Sequence, residues 1–221
     1  MNPIDSGRVR AVVFDLGGVF LEGGPDRVRA FGERHGLTRE AWDRIREELF
    51  VTGDWWNRVE RAELGLDEFS SELRSRVAAQ GIEISLDQAR NFMGMPGTDT
   101  ESRLRPEIVD ACRRLRACMP TALLTNNIRE WHASWRRRVP ADELFDVIVD
   151  SSEVGMRKPE PPIYRLVEER LGLPGSTLLF VDDLGVNLKT AKSLGWQTVK
   201  YDDTARVLDI LRTVWTGRPP R

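Results

Sequence analysis

The stretch Val12-Val13-Phe14-Asp15-Leu16-Gly17-Gly18-Val19 passes from a β-branched, apolar run straight into a carboxylate and a pair of glycines. Val9–Phe14 reads as a strand without polar alternation, the pattern of a strand covered on both faces in a parallel sheet. Runs of the same kind recur at Thr121–Leu124, Val147–Val149, Leu178–Val181 and Thr198–Tyr201. Helical signals lie between and after them. Pro106 opens a helix with Ile108, Val109, Cys112 and Leu115 on one stripe. A second helix follows Glu160-Pro161-Pro162 and stops at Gly172, with Ile163, Leu166 and Val167 facing inward. A third runs from Asn187 to Leu194, stopped by Gly195, and the last spans Thr204 to Trp215. Strands alternating with helices give an α/β fold with a Rossmann-like parallel sheet.

One interval breaks the alternation. Between Pro25 and Pro96 only helical patterns appear: the Trp42, Ile45, Leu49 stripe, the Phe69, Leu73, Val77 stripe, and a capping box of Ser85 with Gln88. About seventy residues of helix exceed a simple crossover roughly twofold or more. The expected layout is therefore a core of residues 1–22 and 100–221 carrying an inserted helical cap of residues 23–99.

Ligands of open α/β sheets bind beyond the carboxyl ends of the strands. Here those ends carry Asp15, then Thr125-Asn126-Asn127, then Asp150-Ser151-Ser152, then Asp182-Asp183. Lys158 lies shortly after the third run, and Pro159 disfavours helical geometry at it, which sets it ahead of the next helix. A carboxylate can serve as a nucleophile, and a second can help hold Mg²⁺. An ammonium offsets phosphoryl charge, and hydroxyl and amide groups donate to phosphoryl oxygens. Each feature alone reads blandly, Asp15 as a turn residue before two glycines and Lys158 as a surface lysine. Their order along the strand ends is what suggests phosphoryl chemistry.

Composition narrows the field. The 221 residues are 40% hydrophobic and 31% charged, with a formal net charge of −2, which gives no global signal for nucleic acid or an acidic membrane. No apolar run approaches a membrane span, and Met1–Arg10 lacks the apolar stretch of a signal peptide. Cys112 and Cys118 fit no metal or redox spacing and read as buried free thiols, so a cytoplasmic setting is expected. His35 and His132 have no ligand spacing, and no P-loop, nucleophile elbow or His-Glu-x-x-His motif is present.

Val12-Val13-Phe14-Asp15-Leu16-Gly17-Gly18-Val19 resembles motif I of the haloacid dehalogenase superfamily. Leu123-Leu124-Thr125-Asn126 resembles motif II, Lys158-Pro159 motif III, and Val181-Asp182-Asp183-x-x-x-Asn187 motif IV. The position of the cap fits subfamily I. Gly155-Met156-Arg157-Lys158-Pro159-Glu160-Pro161 and Asp182-Asp183-Leu184-Gly185-Val186-Asn187 are similar to the phosphatase domain of soluble epoxide hydrolases and to bacterial sugar-phosphate phosphatases.

The resemblance implies a Mg²⁺-dependent phosphatase acting on a small phosphorylated metabolite through an aspartyl-phosphate. In that frame Asp15 is nucleophile and metal ligand, and the Gly17 carbonyl and Asp183 complete the protein's share of the Mg²⁺ shell. Thr125, Asn126, Lys158 and Gly18 meet the phosphoryl group, with Asp182 beside them. Trp55 and Trp56 are candidates for the cap–core cleft or for cap packing. The departure is Gly17, where the family usually has an Asp that protonates the leaving oxygen. It leaves open a ligand-binding relative without turnover, or carbon–halogen hydrolysis, in which the leaving halide needs no proton.

Overall fold

The computed structural model describes residues 4–22, 25–93 and 103–221. The expected cap limits at 23 and 99, and Pro96, lie outside them. Five parallel strands form the sheet: β1 (Ala11–Phe14), β2 (Thr121–Thr125), β3 (Val147–Asp150), β4 (Leu178–Asp182) and β5 (Gln197–Lys200). Their order is β3-β2-β1-β4-β5, with Val12 paired to Thr121 on one side and to Leu179 on the other. β1, β2 and β4 are wholly buried, which is why they read as unbroken apolar runs. Helices cover both faces and split the core in two. Phe14, Leu123 and Val181 face one apolar cluster, and Val13, Leu124 and Phe180 face the other.

The helices of the core are α6 (Pro106–Arg116), α7 (His132–Arg138), α8 (Ala141–Leu144), α9 (Ser151–Val154), α10 (Pro161–Leu171), α11 (Gly185–Ser193) and α12 (Thr204–Trp215). Pro106 and Pro161 sit in first turns, where a missing N–H costs nothing, and Gly172 closes α10 in the left-handed conformation. Helix α11 starts at Gly185, two residues before the expected Asn187. Cys112 is buried but Cys118 only half-buried, so the expected pair of buried thiols holds for one.

Between β1 and α6 the described residues form no strand. They make α1 (Pro25–Arg34), α2 (Arg39–Arg46), a π-helical segment Glu47–Thr52, α3 (Trp55–Glu60), α4 (Leu66–Ala78) and α5 (Leu86–Arg90). The Ser85 hydroxyl accepts from the Gln88 backbone N–H at 3.1 Å while the Gln88 side chain accepts from the Ser85 N–H at 2.7 Å, so the capping box closes both ways. These helices enclose their own apolar cluster around Trp56, Phe69 and Phe92, whose ring centroids lie 5.1–5.2 Å apart. Ile128, from the loop after β2, joins that cluster and ties the helical layer to the sheet end. No helix among the described residues is long and apolar enough to cross a membrane.

Candidate active site

Asp15 follows β1 directly, Thr125 and Asp182 are the last residues of β2 and β4, and Lys158 lies in the loop before α10. Parallel pairing brings these ends to one edge of the sheet. Lys158 is its centre: Nζ stands 2.8 Å from Asp15 Oδ1 and 2.8 Å from Asp182 Oδ2, with 1% of its side chain exposed. Burial works against the ammonium, but Asp15 and Asp182 outweigh it and hold its pKa above the ordinary lysine value. Burial raises Asp15 well above the usual carboxylate range, Lys158 pulls it back, and Asp182 and Asp183 push it up further. Asp183 is raised by burial and by Asp182.

The two acids of motif IV separate by what already occupies them. Asp182 accepts from Lys158, from the Leu184 N–H at 2.7 Å and from Asn187 Nδ2 at 3.1 Å to both oxygens. Its oxygens are engaged within the protein. Asp183 faces Gly18, whose φ of +72° brings its backbone so close that a Cβ there would overlap the Asp183 carboxylate. One oxygen from each of Asp15, Asp182 and Asp183 lies within 4.8 Å of the others. Hard oxygen donors so gathered fit Mg²⁺, which takes one or two carboxylates and keeps several waters. Asp15 and Asp183 are the carboxylates that would hold it. Gly17 itself has open space where a Cβ would stand, and its φ is not left-handed.

Thr125 is buried, and among the described residues its hydroxyl makes only a long 3.4 Å contact to the Asn126 carbonyl, which leaves it available to a ligand. Asn126 lies at the same edge with its side chain already used. Its Oδ1 accepts from the Lys158 N–H at 2.8 Å, and its Nδ2 donates to the Lys158 carbonyl at 2.9 Å and to Glu60 Oε2 at 3.2 Å. This amends the expectation that its side chain meets the phosphoryl group, because both ends of the amide bind the motif III loop. Trp56 is buried in the helical cluster, 5.8 Å from Trp131, and donates through Nε1 to Glu60 at 2.9 Å. That makes it cap core and corrects its candidacy for the cleft; Trp55 packs half-buried against the same cluster.

Glu60 and Arg157 were not singled out by sequence reasoning. Glu60 ends α3 and accepts from Arg157 Nε at 2.6 Å across 97 positions of chain. Burial raises the Glu60 carboxyl against the pull of Arg157. Only Arg157, adjacent to Lys158 in motif III, lay within a stretch the sequence marked.

The haloacid dehalogenase-like hydrolase family matches residues 9–195, and the chain belongs to that family. Mouse acyl-CoA dehydrogenase family member 10 is 33% identical over 200 residues, covering 87% of this chain and 18% of that protein. Rat bifunctional epoxide hydrolase 2 is 34% identical over 116 residues, 50% of this chain and 21% of its own. The chain thus spans about a fifth of these relatives' length. Phosphoglycolate phosphatase of Shigella boydii is 25% identical, with 86% of this chain and 80% of that one covered. A HAD family enzyme of Bacteroides thetaiotaomicron, solved with magnesium and inorganic phosphate, superposes with a TM-score of 0.66 at 22% identity, over 90% of this chain and 98% of its own. The superposition speaks for the fold.

Proposed function

We propose that the chain is a Mg²⁺-dependent phosphatase that hydrolyses phosphate monoesters of a small metabolite through an aspartyl-phosphate on Asp15. The observation that carries the reading is Lys158, shared at 2.8 Å between Asp15 and Asp182 with Asp183 beside them. An ammonium fixed on the Asp15 oxygen favours the ionised carboxylate against the effect of burial and aims it, and adds positive charge where phosphoryl charge gathers. Asp15 would attack phosphorus as the ester P–O bond breaks, the leaving oxygen would take its proton from solvent, and water would then cleave the acyl phosphate. When bound, Mg²⁺ offsets the repulsion between carboxylate and phosphate dianion. The Thr125 hydroxyl would donate to a phosphoryl oxygen, and the helical layer would exclude water from the cleft.

A panel of phosphate esters assayed with and without Mg²⁺ tests this. Turnover should require the metal and vanish in Asp15→Asn, which is nearly isosteric and should fold. Comparable kcat in that variant overturns the assignment. Gly17 supports a second reading, a ligand-binding protein without turnover, for which neither form hydrolyses any ester and both bind the ligand.

A further inference from the structure

We propose that Glu60 is a positioning residue for Lys158: from the end of α3 it binds Arg157 and Asn126, and Asn126 in turn holds both backbone groups of Lys158. The inference rests on the phosphatase reading only for its consequence in catalysis; the contacts stand apart from it.

Two successive residues of the helical layer reach the motif III loop, and their charges are opposite. Glu60 meets Arg157 at 2.6 Å, and Arg61 meets Glu160 at 2.9 Å. The two partners lie on either side of Lys158-Pro159, so the loop is pinned on both flanks. Exposure separates the pairs. Glu60 and Arg157 keep 10% and 16% of their side-chain surface; Arg61 keeps 15%, but its partner Glu160 keeps 37%. A solvent-screened pair contributes little, while a buried carboxylate that loses a partner is strongly disfavoured. The Glu60 contact is therefore the one that constrains the loop.

The Glu60 carboxylate accepts from Trp56 on one oxygen and from Arg157 and Asn126 on the other. Occupied in this way, it is an acceptor and cannot replace the proton donor missing at Gly17. Its effect on chemistry runs through Asn126. With Nδ2 shared between Glu60 and the Lys158 carbonyl, Asn126 is oriented to present Oδ1 to the Lys158 N–H. Fixing the Lys158 backbone sets the base from which its ammonium reaches Asp15 and Asp182. Contact of the helical layer with the loop and placement of the lysine are then coupled.

Glu60→Ala tests the inference, because it removes the oxygen that Arg157 and Asn126 share as acceptor. Hydrogen exchange in the full-length protein reads the Lys158 backbone N–H, the group held by Asn126. It should exchange about fivefold to tenfold faster, the loss of roughly one hydrogen bond, while the amides of Leu123 and Phe180 keep their rates. If wild-type protein hydrolyses p-nitrophenyl phosphate with Mg²⁺, kcat of the variant should fall about tenfold to a hundredfold with KM nearly unchanged. Arg157→Gln should act alike, and the double variant should be no worse than either single change, as for one unit. An unchanged Lys158 exchange rate overturns the proposal. So does faster exchange that all core amides share, or faster local exchange with kcat unaltered. Wild-type protein that hydrolyses no ester ends the phosphatase reading, and the exchange pattern still decides whether Glu60 holds the loop.

Discussion

Gly17 and Gly18 stand side by side, yet the structure asks different things of them. Gly18 needs to be glycine, for its left-handed φ and for the Asp183 carboxylate packed against it. Gly18→Ala should therefore displace Asp183 and weaken Mg²⁺ binding in calorimetry, on top of about 1–2 kcal/mol of backbone strain. Gly17 tolerates a side chain, with open space and an ordinary φ. A positioned acid typically contributes about 10²–10⁴-fold. Wild-type kcat/KM should accordingly depend steeply on leaving-group acidity, and Gly17→Asp should raise it for alkyl phosphates more than for aryl ones without lowering Tm. A flat leaving-group dependence in the wild type would show that another group supplies the proton. The same cluster sets a pH dependence. Burial and neighbouring carboxylates raise Asp15 and Asp183, so protons compete with the metal for their oxygens. Mg²⁺ affinity should rise with pH through the raised carboxyl range, with proton release detectable in buffers of different ionisation enthalpy. Affinity independent of pH from 5 to 8 would speak against these ligands, a window of about three units above the ordinary carboxylate values.

At the scale of elements, local sequence served best where an element is specified by its own residues. β1, β2 and β4 are apolar on both faces, and their polar ends stood out as breaks in the runs. The Ser85–Gln88 box closed as written because its partners are three residues apart. Glu60 escaped notice because nothing around it in Val59-Glu60-Arg61 reveals a partner 97 positions away, and a lone Glu on a helix is by default a solvated one. Trp56 offered two readings that periodicity could not separate, since a cleft wall and a cluster centre both want a large ring. The stability of the helical layer should divide the same way. Phe69→Ala, which empties the centre of the aromatic cluster, should cost about 3–5 kcal/mol in urea unfolding. Ser85→Ala, which removes one exposed cap, should cost about 1 kcal/mol. Equal losses would mean that the cluster repacks around the missing ring.

Seen as a whole molecule, the site concentrates three carboxylates against one ammonium at a buried edge, an excess of negative charge that a divalent cation relieves. Binding of such a cation would stabilise the entire fold by about 2.7 kcal/mol at a hundred times the dissociation constant. Thermal unfolding should show Tm rising with Mg²⁺ in wild-type protein and rising much less in Asp183→Ala. Equal shifts in both would place the cation elsewhere. The sheet order carries a different consequence, in time rather than in space. β1 sits in the middle of the sheet, yet its neighbours are β2, over a hundred residues downstream, and β4, later still. As the chain leaves the ribosome, the strand that leads to Asp15 emerges ahead of both its neighbours and finds neither flank. The aromatic cluster of the helical layer, closed over a short span of chain, has its partners within reach much sooner. Synthesis thus delivers Asp15 ahead of the strands that flank it and gives it a place only once both have followed.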